Sequence, residues 1–194
     1  MVVGLTGMSG AGKSYVAARF SSAGFNVIDA DKIYHTLVSG EGECIRELES
    51  AFGSSVINPD RSLNRVVLAP IVFADPEKLT HLNKITHKYV LAEIRKEIST
   101  LSEICVVDAP QLFESGFDAE CDLIVGVVAD VDICVERIVA RDRITPEKAK
   151  KRLVNQHDRT YFESRCDIII LNNGNDISND IENTIKMIKE KNYV

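Results

Sequence analysis

The chain reads as a three-layer α/β fold on a five-stranded, mainly parallel sheet, and three observations lead there. Five short apolar runs, Val2–Thr6, Phe25–Asp29, Ile104–Asp108, Leu123–Val128 and Ile168–Leu171, lack polar alternation, the pattern of strands covered on both faces. Segments of helical periodicity separate them, which calls for crossovers that lay helices on both sides of the sheet. The first run leads directly into Gly7-Met8-Ser9-Gly10-Ala11-Gly12-Lys13-Ser14, in which Gly7 and Gly12 bracket four residues and Lys and Ser follow. At 194 residues and 45% hydrophobic content the chain can bury a full core, and it is expected to form one domain over 1–194.

The glycine-rich loop carries the first chemistry. A phosphate chain is wrapped by backbone N–H groups only where side chains leave room, and Gly7, Gly10 and Gly12 leave it. The expected nucleotide-binding stretch is Gly10, Ala11, Gly12, Lys13, Ser14 and Tyr15, with the Lys13 ammonium on the outer phosphates and the Ser14 hydroxyl on a magnesium ion. A helix over Tyr15 to Ser22 would turn its positive end toward the anion. A glycine turn that binds nothing is the alternative, and the strand-loop-helix order stands against it.

The second run ends at Val27-Ile28-Asp29-Ala30-Asp31. Asp31 is a candidate base that orients and deprotonates an attacking hydroxyl, or else a helix N-cap before Ile33. Helical patterns over Gly42–Phe52, Arg65–Phe73 and Glu77–Thr100 fill the long interval before the third run. That interval exceeds one crossover, so a helical acceptor-binding insertion is expected at about 32–100. Asp108 closes the third run, where open parallel sheets place their ligands, and either supports magnesium, directly or through water, or serves as a turn residue.

Residues 137 to 159 hold eight basic side chains against three acidic ones, although the whole chain carries −6. Arg137 and Arg141, four apart, share a helix face suited to phosphate oxygens or a purine, and a lid over about 137–160 is the natural reading beside that of a solvated charged helix. Thr145-Pro146-Glu147 marks a helix start, Asn172-Asn173-Gly174 a turn, and Ile177–Lys191 a closing amphipathic helix.

The net charge disfavours general nucleic-acid binding, and no apolar run approaches membrane-spanning length, so nucleic-acid and membrane partners are not expected and a cytoplasmic location is. Five scattered cysteines, Cys44, Cys105, Cys121, Cys134 and Cys166, form no close pair and point to neither a disulfide framework nor a zinc site.

Several of these blocks together resemble the dephospho-CoA kinase family (CoaE) of P-loop kinases, nearly end to end. The resemblance rests on Gly4-Leu5-Thr6-Gly7 with the phosphate loop, on Val27 to Asp31, and on Phe52-Gly53, Leu63-Asn64-Arg65, Val72-Phe73 and Leu82-Asn83 with Ile85-Thr86-His87. Val107-Asp108-Ala109-Pro110-Gln111-Leu112-Phe113-Glu114, Arg137, Arg141, Gln156 and Asp167 to Gly174 extend it. It implies a P-loop kinase fold with an acceptor-binding insertion and a lid. It also implies an ATP- and Mg2+-dependent transferase that phosphorylates the ribose 3′-hydroxyl of dephospho-CoA in the last step of coenzyme A biosynthesis, as a monomer or small homo-oligomer.

On that resemblance Lys13, Asp31 and Arg141 are the catalytic candidates, and Ser14 and Asp108 the metal ligands. Arg137, Arg141 and Asn172 join the nucleotide side, while Asp31, Arg65, His87, Asp108, Gln111 and Glu114 form the acceptor side. Read from the residues alone, Arg65 is an anion clamp or a surface arginine opening a helix, and His87 a binding or structural histidine. Glu114 positions its loop, pairs with an arginine or is merely exposed, and Asn172 borders the adenine or shapes a turn. Tyr15, Lys88 and Gln111 stand where the family usually has Thr, Pro and Leu. Another small-molecule or nucleotide P-loop kinase is one alternative, and a P-loop regulatory adaptor another. Asn83-Lys84-Ile85-Thr86 lacks the aspartate of a guanine-reading element, which disfavours a GTPase switch.

Overall fold

The computed structural model describes residues 1–192. Strands β1 (Val2–Gly7), β2 (Asn26–Asp29), β3 (Cys105–Asp108), β4 (Leu123–Val128) and β5 (Ile168–Leu171) form one sheet in the spatial order β2-β3-β1-β4-β5. β1 runs parallel to β3 and β4, and β4 parallel to β5, as the apolar runs predict. Every residue of β3 and β4 is buried, which is why those segments carry no polar alternation. Leu5 stands opposite Asp108 on one side and Val125 on the other, so the aspartate that ends β3 lies beside the strand that feeds the glycine loop.

Helices follow as α1 (Lys13–Ser22), α2 (Ala30–Leu37), α3 (Glu43–Phe52), α4 (Arg65–Phe73), α5 (Pro76–Ser99), α6 (Val131–Asp142), α7 (Pro146–Val154), α8 (Arg159–Glu163) and α9 (Ser178–Asn192). By contacts the chain divides into two compact units, one of Met1–Ile28 with the chain from Leu101 onward, the other Asp29–Thr100.

The first unit holds the sheet with α1 and α6 to α9. Leu5, Phe20, Val125, Ile170, Ile181 and Ile188 are almost completely buried in its main core. Ala149 of α7 is buried with Val135 and Ile138 of α6 in a smaller cluster. As expected, Thr145 caps α7, its side chain accepting from the Lys148 amide, with Pro146 at the first helical position.

The second unit is helical. Ile45 and Leu48 of α3, Leu68 and Val72 of α4, and Ile85 of α5 meet in its core, at the three- and four-residue spacings that put side chains on one helix face. Asn64 caps α4 and Asp75 caps α5, each accepting backbone N–H bonds with its side chain. Cys44, Cys105 and Cys134 are buried, and burial first of all pushes the Cys121 and Cys166 thiols up to about 12. Among the described residues no helix is long and apolar enough to cross a membrane.

Candidate active site

The loop between β1 and α1 is held by its own conformation and by the strands and helices behind it. Gly7, Gly10 and Gly12 all have positive φ, and Gly12, in the left-handed region at φ 95° and ψ 25°, is the N-cap of α1. Their lack of a side chain serves the packing of the protein itself. A Cβ would lie 2.1 Å from the Val127 carbonyl at Gly7, 2.6 Å from the Cys134 carbonyl at Gly10 and 2.4 Å from the Asn172 amide nitrogen at Gly12. These glycines are therefore required first by the close approach of the loop to β4, α6 and the end of β5.

The Ala11 amide donates to the Met8 carbonyl, whereas those of Gly10, Gly12, Lys13 and Ser14 have no acceptor among the described residues. Amide donors left open at a helix N-terminus, where the partial charge is positive, are chemically suited to a phosphate chain. Ser14 is exposed, its hydroxyl without a partner among the described residues, and Tyr15 is 49% exposed.

Lys13 and Asp108 meet in this place. The Lys13 ammonium is ion-paired with the Asp108 carboxylate, and their side chains are only 15% and 10% exposed. Both charges were expected at the phosphates, one on the nucleotide and one on the metal; the structure adds that they hold each other. Among the described residues no three His, Cys, Asp or Glu side chains cluster as a metal site. Magnesium needs only one or two protein ligands beside substrate phosphates, and the Ser14 hydroxyl with the Asp108 carboxylate fits that demand.

Arg137 and Asn172 are placed differently from expectation. Rather than opening toward a base, Arg137 of α6 turns inward, its Nη1 donating to the carbonyls of Gly10, Ala11 and Asn172 and its Nη2 to Asn172 Oδ1. Asn172 is buried, and its Nδ2 donates to the Ala11 carbonyl at 2.8 Å. Both side chains thus give hydrogen bonds to the loop, beyond the phosphate, purine and turn roles expected of them.

Arg141, expected to neutralise developing charge, makes a two-pronged contact with its neighbour Asp142, at 2.8 and 3.1 Å, and Arg152 of α7 joins the same carboxylate. The Arg141 contact first, with Arg152 assisting, holds the Asp142 carboxyl down at about 2. Glu114 faces His157 Nε2 at 3.3 Å and not an arginine, and that imidazole stacks on Tyr161 with centroids 3.5 Å apart. Gln111 is exposed in the turn after β3.

Within the helical unit, Asp31 is the second residue of α2. The cap is Asp29, whose side chain accepts from the Lys32 amide, so the capping alternative for Asp31 falls. Asp31 is exposed, and its carboxylate has no hydrogen bond or ion pair among the described residues. Arg65 opens α4, donates from Nη2 to His35 Nδ1 at 2.7 Å and lies 5.2 Å from the centre of the Tyr34 ring. Because guanidinium only donates, this contact leaves the His35 proton on Nε2. Sequence reasoning missed His35, although its spacing of four residues from Asp31 on one helix face was the available signal. His87 lies half-buried on α5.

Comparison with known proteins decides the lineage. The family model for dephospho-CoA kinase (CoaE) matches residues 1–178. The chain belongs to this family. It is similar to the dephospho-CoA kinase of Fusobacterium nucleatum, with 37% identity over 90% of this chain and 91% of that protein. Among solved structures, one from Thermus thermophilus aligns over 98% of this chain and 97% of its own, at 29% identity and a TM-score of 0.84. The dephospho-CoA kinase of Campylobacter jejuni aligns over 98% of both chains at 26% identity and a TM-score of 0.70. The α/β fold read from the apolar runs, and the P-loop kinase fold that the resemblance implied, agree with these structures.

Proposed function

We propose that this chain transfers the γ-phosphoryl group of ATP to the ribose 3′-hydroxyl of dephospho-CoA, yielding coenzyme A and ADP. The observation that carries this reading is the family match over residues 1–178, which spans the glycine loop and all the helices of the Asp29–Thr100 unit alike. A fold and a phosphate loop alone would not name the acceptor.

On the donor side, the free amides of Gly10, Gly12, Lys13 and Ser14 receive the phosphate oxygens, and the Lys13 ammonium takes the outer ones. Ser14 and Asp108 would hold Mg2+, which would neutralise phosphate charge. The pairing of Lys13 with Asp108 supports this assignment, because it keeps a cation and a metal-type ligand together and nearly shielded from water. Shielding matters, since charge interactions strengthen as the local dielectric falls.

On the acceptor side, Asp31 is assigned the proton of the attacking hydroxyl. Its support is chemical: the carboxylate is exposed and not consumed by capping. Arg65 is assigned to the acceptor's anionic groups, with His87, Gln111 and Glu114 as further contacts. Arg141 is the lid residue assigned to developing charge, and to act so it exchanges Asp142 for phosphate oxygen.

The test is direct. Purified protein with magnesium ATP and dephospho-CoA, beside AMP, CMP and shikimate controls, is expected to release ADP only with dephospho-CoA and to give a product heavier by one phosphoryl group. ADP release that depends on a control acceptor, or on none, would overturn the reading.

A further inference from the structure

We infer that Arg137 and Asn172 are positioning residues of the phosphate loop, acting on the nucleotide through the backbone of Gly10 and Ala11 and not through the base. The inference rests on the ATP-binding reading above.

The geometry is a closed network. The Ala11 carbonyl accepts from both Asn172 Nδ2 at 2.8 Å and Arg137 Nη1 at 3.2 Å, while Asn172 Oδ1 accepts from Arg137 Nη2 at 3.2 Å. Arg137 Nη1 also reaches the Gly10 carbonyl at 3.3 Å and the Asn172 carbonyl at 3.0 Å. The network is anchored to the sheet, because the Asn172 amide donates to the Val128 carbonyl at 2.8 Å.

A trans peptide is planar, so its carbonyl and its N–H point opposite ways. Holding the Ala11 carbonyl inward therefore turns the Gly12 N–H outward. That amide is among those without an acceptor among the described residues. The left-handed conformation of Gly12 then sets the direction of the next amide, that of Lys13. A loop without these contacts would have to organise its amides when the phosphate arrives, at the expense of affinity. The network also explains Gly12 itself, since any side chain there would collide with the Asn172 amide.

Asn172 is 8% exposed, with its Nδ2 donating to Ala11 and its Oδ1 accepting from Arg137, so swinging the amide out toward adenine would break both contacts. A residue that grips the base and one that holds the loop differ in one measurable respect. The first affects only ligands that carry a base, the second any ligand with the phosphate chain.

The experiment compares magnesium ATP with magnesium tripolyphosphate by calorimetric titration of the parent protein and of Asn172→Ala, Asn172→Asp, Arg137→Lys and Arg137→Gln. Asn172→Asp keeps an acceptor for Arg137 but cannot donate to Ala11, and with Arg137→Lys it guards against loss of fold, which melting temperatures check. Each variant except Arg137→Lys is expected to weaken both ligands by the same factor, about tenfold, which corresponds to ~1.4 kcal/mol. Arg137→Lys is expected to weaken both equally but less. The ATP KM is expected to rise while the dephospho-CoA KM stays at the parental value, a split that general destabilisation would not produce. Asn172→Ala combined with Arg137→Gln is expected to be no worse than the weaker single variant, because both remove one network. Loss confined to ATP, or no loss for either ligand, would overturn the inference while leaving the kinase reading intact. A parent protein that binds neither ligand would overturn both.

Discussion

Gly12→Ala tests the account of the loop with a single methyl group. The new Cβ meets two obstacles: a left-handed backbone at φ 95°, and the Asn172 amide nitrogen at 2.4 Å. The first costs about 1–2 kcal/mol for a residue other than glycine. The second forces Asn172 away from the Ala11 carbonyl, and a buried donor and acceptor left unmatched cost about 1–3 kcal/mol. The total of about 2–5 kcal/mol lies within the stability of a domain, so the variant should fold, with a melting temperature lowered by about 10 °C. Gly24→Ala is the control. Gly24 has φ 92° and nothing within 4 Å of the place a Cβ would take, so only the backbone cost applies, a fall of about 3–5 °C. Thermal melts of both variants by circular dichroism read the difference. Equal losses in the two would refute the collision with Asn172 and the reason given for glycine at this position.

Lys13→Met removes the ammonium from a pair whose carboxylate side chain is 10% exposed, and is expected to cost about 3 kcal/mol besides abolishing turnover. Adding Asp108→Asn should restore more than half of the lost melting temperature without restoring activity; a double variant as unstable as Lys13→Met would deny that the pair matters to folding. The Asp142 carboxyl, held at about 2 chiefly by Arg141, lies below its unfolded value of about 3.9. Its stabilising effect is thus complete above pH ~4 and is lost as pH falls toward 2. Carboxyl resonances followed by NMR should show Asp142 titrating in that range in the parent and higher in Arg141→Gln, and an unmoved Asp142 would contradict the assignment.

How much of this was written in the sequence depends on the distance between partners. The five strands were legible because strands buried on both faces need continuous apolar runs, and α4 because Arg65–Phe73 follows a capping Asn64 and precedes Asp75-Pro76. The start of α2 was less so. Asp29 and Asp31 both offer a capping carboxylate, and only the folded backbone shows that Asp29 takes the Lys32 amide. At the site, the glycine loop announced itself by local spacing, and Asp108 by its position at a strand end.

The tasks of Arg137 and Asn172 did not, because 126 residues separate Arg137 from Ala11 and no periodicity links them. The charge excess over residues 137 to 159 suggested one cationic surface, yet its members divide. Arg137 is turned into the loop, Arg141 and Arg152 neutralise Asp142, and Arg159 pairs with Glu163 and Asp130. Net charge counts side chains and does not record which carboxylate each one faces.

The measurement closest to the central claim is the single-turnover rate of phosphoryl transfer to dephospho-CoA for the parent protein and for Asp31→Asn, with magnesium ATP affinity measured alongside. Asp31 is exposed and without a hydrogen bond or ion pair among the described residues, so the amide should leave the melting temperature within about 1 °C and the nucleotide affinity within about twofold. The account predicts coenzyme A from the parent and a rate at least about 100-fold lower in the variant. A variant within about threefold of the parent would remove Asp31 from the chemistry, and a parent that makes no coenzyme A would contradict the proposed function itself.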